Sequence, residues 1–310
     1  MIPLFFSLLV NTVLVNPDFE TVRVHEWGVI QMDYSYLEAV GAEWCYPDDH
    51  GVFHSGELMV VDAPVVWFHG PEFTGTFTVE IMNGSLTTRY PEPDRIEQIH
   101  SPLRTVLPLE RVVWEYLTFT ELPIRNGLPA DDKRSDIPCE MESFGWAVPW
   151  WRQVPSLTIT RKSDGWSDQF IYYECTTGNR PLSDEAFCRD RGANTYQGPA
   201  LVFAWNDDGL VSKRAEVGDA VDIRGSYISI EQIEETLCRW AGNNLESEEI
   251  EALWLTWEPV IRGRCSMYGE MVLLYPLSDE IVNSISRLVL ETDQGFSVEY
   301  YRLFLGLTAI

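Results

Sequence analysis

All five histidines of the chain, His25, His50, His54, His69 and His100, fall within its first hundred residues. Imidazole both ligates transition metals and moves protons near neutral pH, so this clustering points to the N-terminal third as the place for chemistry. The densest stretch is "DDHGVFHSGE", residues 48–57, which holds Asp48, Asp49, His50, His54 and Glu57. On a helix the His50 to His54 interval would put both rings on one face, but Pro47 and Gly51 favour a loop, where that interval loses its meaning. The ligand set read from the sequence is two or three of His25, His50, His54 and His69 with an acidic residue, holding a divalent metal. Glu26 would then be the general base toward a metal-bound water. The competing reading leaves these as surface and strand-edge histidines bonded to their neighbours.

His25 and Glu26 stand together in "VRVHEWGVIQ", residues 22–31, which has the alternation of a strand. Alternation puts Val22, Val24, Glu26 and Gly28 on one face and Arg23, His25 and Trp27 on the other. Adjacent strand residues cannot act on one ligand unless a bulge re-aims one of them. The economical expectation is that Glu26 pairs with an arginine in a β interior and that "HEWG" anchors a strand.

Other candidates are less specific. Asp164 and Asp168 in "SDGWSD", and Asp207 and Asp208 in "NDDG", could ligate calcium, but neither stretch has the twelve-residue loop of a calcium site, and both read as Asp turns. "WAVPWWR", residues 146–152, sets three tryptophans beside Arg152, either as a carbohydrate-stacking platform or as core. G-x-S-x-G, G-x-x-x-x-G-K and H-E-x-x-H are all missing, which disfavours serine hydrolase, NTPase and zincin chemistry.

The elements that must position these groups read as mainly β. Strand-like segments run through the first two thirds, from "TVRVHEWGVI" and "LMVVDAPVVWFHG" to "QFIYYEC" and "ALVFAWN". Asn83-Gly84, between "TFTVEI" and "LTTRY", is the best hairpin signal. A small helical insertion is expected near residues 229–259. Its first helix opens at Ser229 with Gln232 completing a capping box, and presents Ile230, Ile233, Leu237 and Trp240 before Gly242. A second starts near Ser247, carries Glu248, Glu249 and Glu251 in its first turn where the helix dipole favours them, and buries Ile250, Leu253, Trp254 and Trp257 before Pro259. β-Sandwich-like units are therefore expected at 17–120 and 156–310, joined by an irregular Pro-rich connection at 121–155.

The chain has 48 acidic and 22 basic residues, a net charge of -26, and its lysines are Lys133, Lys162 and Lys213 alone. Such a field repels phosphate backbones and attracts cations, so nucleic acid is not an expected partner. It suits a solvated acidic surface or adaptation to high salt. The apolar run Ile2–Val15 is too short to span a bilayer but fits the hydrophobic stretch of a signal peptide at 1–16; a buried first strand is the alternative. No transmembrane segment is expected in the mature chain. Cys45, Cys139, Cys175, Cys188, Cys238 and Cys265 form an even set without C-x-x-C spacing, which suits disulfides in an oxidising compartment. Cys175 with Cys188, and Cys238 with Cys265, are two of the pairings open to it.

These stretches, in order, resemble an uncharacterised family of exported bacterial proteins with a HEWG segment near the mature N-terminus. The likeness rests on His25, Glu26, Trp27 and Gly28, on "DAPVVWFHGP" beside the family's "TPVLYFY" strand, on "VEIMNGSLTTRYPEP" with its turn ending in Tyr-Pro, and on "FIYYE" beside "FLFYR". Glu174 stands where the family has Arg, and "VIQ" follows HEWG in place of "TFT". The resemblance implies export and a β-rich fold and brings no reaction with it. The expected protein is thus an exported binding or envelope-associated scaffold, with an envelope protein or a carbohydrate as partner, and the alternative is a divalent-metal-dependent hydrolase using the N-terminal histidines.

Overall fold

The computed structural model describes residues 20–31, 46–47, 53–54, 59–99, 109–121, 144–177, 198–219 and 227–309. The N-terminal apolar run, His50, His100, Cys45, Cys139, Cys188 and most of the Pro-rich connection lie outside these residues, as does the side chain of His54.

In chain order the first strands are β1 (Thr21–Gln31), β2 (Tyr46–Pro47), β3 (Phe53–His54), β4 (Met59–His69), β5 (Phe73–Met82), β6 (Gly84–Tyr90), β7 (Arg95–Ile99) and β8 (Leu109–Thr120). Helix α1 (Val148–Trp151) precedes β9 (Thr158–Arg161), β10 (Ser167–Asp168), β11 (Ile171–Thr177), β12 (Ala200–Asn206) and β13 (Gly209–Ala215). Helices α2 (Ile230–Trp240) and α3 (Ser247–Tyr268) lead to β14 (Val272–Pro276), α4 (Asp279–Ile285), β15 (Ser286–Thr292) and β16 (Ser297–Ala309).

The fold is mainly β, as the alternation implies. One sheet has the order β13-β12-β14-β16-β1-β4-β11-β6, and a second has β10-β9-β8-β5-β15 with β7 beside β8. Their facing sides form one core, in which Val22, Val24 and Ile30 of β1 meet Phe68, Phe77, Trp114 and Phe119. The opposite side of the larger sheet is covered by α1, α2 and α3, and there Trp27 and Val29 of β1 pack with Trp67, Trp151, Leu253 and Trp257. Fully burying each such side chain contributes about 1.5–3 kcal/mol, so β1, at the centre of the larger sheet, is fixed from both sides.

Both sheets mix early and late strands: β1 runs parallel to β16 and antiparallel to β4, and β5 pairs with β8 and β15. The segments 17–120 and 156–310 therefore share their cores instead of each closing its own. Asn83-Gly84 also departs from expectation. Asn83 turns the chain with φ 50°, but β5 belongs to the smaller sheet and β6 to the larger, so the turn is a corner between sheets. Gly84 is needed there because a Cβ would meet the Thr176 carbonyl oxygen at 1.9 Å.

The capping box at Ser229 and Gln232 forms as expected. Helix α3, however, passes through Pro259 and continues to Tyr268. A proline inside a helix costs about 3 kcal/mol, and burial of Ile261 and Cys265 beyond it is of the size to offset this. Cys175, Cys238 and Cys265 are free thiols, so the pairing of Cys238 with Cys265 is not made. The Cys238 thiol donates to Asn243 Oδ1 instead, and Cys265 lies on the buried side of α3, where desolvation pushes its thiol up to about 11. Among the described residues no helix is long and apolar enough to cross a membrane.

Candidate functional site

A bulge does interrupt the β1–β4 ladder, but it lies between Trp27 and Val29, beyond His25 and Glu26. Alternation therefore holds at "HEWG", and the neighbours point to opposite faces. Each then enters a separate buried cluster.

Glu26 points into the core between the sheets and is fully buried. Arg302, beside it on β16, donates from Nε to Glu26 Oε2 at 2.5 Å. The Tyr173 hydroxyl donates to Oε1 at 2.6 Å. Arg302 also donates to the Ser286 carbonyl and to its hydroxyl, each at 2.8 Å. Burial and the Glu26 charge both hold the Tyr173 phenol well above its ordinary pKa, so it keeps the proton it donates to Glu26. Trp27 turns to the helix side, its ring 5.6 Å from that of Trp67. Gly28 lies flat under Phe304, where a Cβ would come within 2.8 Å of the ring.

His25 points the other way, toward α3. The register pairs His25 with Trp67 and Arg23 with His69, so the two imidazoles are diagonal neighbours on one face. Their ring centroids are 4.2 Å apart. Glu249, in the first turn of α3, reaches between them: His25 Nδ1 lies 2.9 Å from Oε2 and 3.2 Å from Oε1, and His69 Nε2 lies 3.0 Å from Oε1. The Glu246 backbone N–H donates to Oε2 at 2.7 Å and fixes the carboxylate. His25 and Glu249 are fully buried and His69 nearly so, with a 5.5 Å edge-on contact from Tyr301 to His25. Burial alone would raise the Glu249 pKa, but hydrogen bonds from His25 and His69 outweigh it and hold the carboxyl below its usual value. Two imidazoles and an ionised carboxylate, with ligand atoms all within 4.8 Å of one another, form the donor set of a divalent transition metal.

Compared with protein-family models, curated proteins and solved structures, the chain matches none of them.

Of the candidate ligands, His25 and His69 are thus brought together, while His50 and the side chain of His54 lie outside the described residues. Glu26 does not join them: it belongs to the Arg302 cluster across the sheet. Glu249 was legible only as a helix-dipole residue. The signal that sets it apart is its spacing with Ala252, Leu253 and Thr256, which puts a carboxylate on the buried stripe of α3 while Glu248 and Glu251 face solvent.

Of the aspartates considered for calcium, Asp164 and Asp168 are engaged by other groups. Asp164 bonds Arg161 and the Trp166 backbone, and Asp168 accepts from Arg152 and from Tyr90. Asn206 Oδ1 closes the Asp207-Asp208 turn on the Asp208 N–H. In "WAVPWWR", Trp151 is core, while Trp146 and Trp150 are exposed. A further buried carboxyl, Asp62, sits at the far end of β4 and accepts from Gln31. Burial and the neighbouring Glu174 charge push it up to about 7, against the lowering bond from Gln31.

Proposed function

We propose that the protein is an exported, non-catalytic β-rich scaffold that serves as a binding or envelope component. The observation that supports this is the division of His25 and Glu26 between two faces of β1, each engaged by buried partners. A hydrolase built on the N-terminal histidines with Glu26 as base would need that carboxylate beside an ion held at His25 and His69, and the backbone of β1 lies between them. The apolar run Ile2–Val15 favours export. Exposed Trp146 and Trp150 offer an aromatic surface on which a partner or a carbohydrate can stack.

Cell fractionation combined with a hydrolase screen tests this reading. Ester, phosphoester, glycoside and peptide substrates are presented with and without divalent metals to the wild type and to Glu26→Gln. The scaffold reading expects the protein outside the cytoplasm, no turnover, and a lower melting temperature for Glu26→Gln. Turnover of any of these substrates by the folded wild type would overturn it, whether or not Glu26→Gln abolishes it, and uncleaved protein confined to the cytoplasm would overturn export.

A further inference from the structure

Outside the Glu26 cluster, three places among the described residues hold unspent chemistry. The first is a solvent-open cavity beside Asn283, Arg287, Tyr300 and Arg302, but Arg302 there already bonds Glu26 and Ser286. The second is the Asp62 and Glu174 pair, a cluster of acids without a further sign of a ligand. The third is the His25, His69 and Glu249 group, which the protein's own hydrogen bonds do not complete.

The incompleteness lies at His25. Its Nδ1 faces Glu249, yet Nε2 is buried without any partner among the described residues. With one proton on Nδ1, Nε2 is a bare lone pair in the interior; with two, it is an unpaired N–H. Leaving such a group unsatisfied is costly, and a nearby ion or water is one explanation for it. The nitrogen that would ligate an ion beside Glu249 is Nδ1, and no bond at Nε2 opposes a small rotation of the ring toward it.

We infer that His25, His69 and Glu249 bind one divalent first-row transition ion, with zinc as the representative, clamping the start of α3 onto β1 and β4. Tetrahedral bonds of about 2.0–2.2 Å hold ligand atoms roughly 3.3–3.6 Å apart. The separations from His25 and His69 to the Glu249 oxygens, 2.9 to 3.2 Å, are those of hydrogen bonds, and small rotations of these side chains open them to that range. Oε1 faces both imidazoles, and Oε2 is tied to the helix backbone, the outer hydrogen bond that orients a ligating carboxylate. Two nitrogens and one oxygen suit zinc, iron, manganese or cobalt and not calcium, which takes six to eight oxygens. The net charge of -26 raises the local concentration of cations around the molecule. This ion is additional to the scaffold role, and metal uptake without turnover satisfies both.

The test uses full-length, tag-free protein stripped with chelator and dialysed against zinc, followed by elemental analysis and thermal melting. Cobalt absorption on the same protein reports nitrogen ligation, which carboxylate-only surface sites do not give. The expected result is one zinc per chain, a raised melting temperature, visible cobalt bands, and at least tenfold weaker binding with no thermal shift in both His69→Gln and Glu249→Gln. Should either variant fail to fold, the cobalt spectrum of the wild type decides. A folded wild type that retains no zinc, zinc retained equally by His69→Gln, or cobalt bound without nitrogen-ligated bands would overturn the site.

Discussion

On the sandwich side of β1, Glu26 meets a guanidinium and a phenol, the guanidinium in turn bonds a serine, and every charge there has its counter-group. On the helix side, His25 meets a second imidazole and a carboxylate, and one ring nitrogen is left over. The two clusters are adjacent in sequence and equally buried, but one is closed by the chain and the other is open to a further atom. A buried ion pair with all its donors used is a structural joint, whereas the buried donor set with an orphaned atom is where we place the ion.

The largest effect expected from breaking this contrast is in Glu26→Ala, which leaves Arg302 buried and uncompensated. Urea denaturation should show a loss of about 3–5 kcal/mol. A loss below 1 kcal/mol would mean the sandwich cluster is not closed as described. Glu249→Gln keeps the shape of the helix-side cluster but removes two charge-assisted bonds, and a loss of about 2–3 kcal/mol is expected without metal. If it exceeded that of Glu26→Ala, the ranking of the two faces would be reversed. Gly28→Ala sharpens the sandwich side alone: its methyl collides with the Phe304 ring, and a loss of about 1–2 kcal/mol is expected by the same measurement.

A fourth effect, read as a change with pH and not as a fixed loss on substitution, is at Asp62. Its folded-state pKa of about 7 lies above the unfolded value of about 3.9, so the native state holds a proton that the unfolded chain gives up. The resulting destabilisation is absent below about pH 4, grows between pH 4 and 7, and is constant above. Asp62→Asn cannot ionise, so its stability relative to the wild type should rise across that window. A flat difference between pH 4 and 8 would show that Asp62 is ionised in the fold.

Much of the scaffold was legible from residues alone. The β-rich class followed from alternation, the start of α2 from Ser229 and Gln232, and the opposed faces of His25 and Glu26 from the two-residue period of a strand. An arginine partner for Glu26 was expected on charge grounds, but which one depends on β16 lying parallel to β1. Pro259 misled because local helix breaking was weighed without the burial of Ile261 and Cys265 that overrides it. Asn83-Gly84 misled because a turn signal states that the chain reverses, not which sheet receives it.

The sequence by itself determined a strand with histidine and glutamate on opposite sides, since side-chain alternation is a property of the backbone and needs no partner. Only the tertiary structure decided what each would meet. His69, Glu249, Tyr173 and Arg302 lie 44, 224, 147 and 276 residues from their partners. Contacts at such separations are set by strand order and by packing of a helix face, which no local spacing encodes.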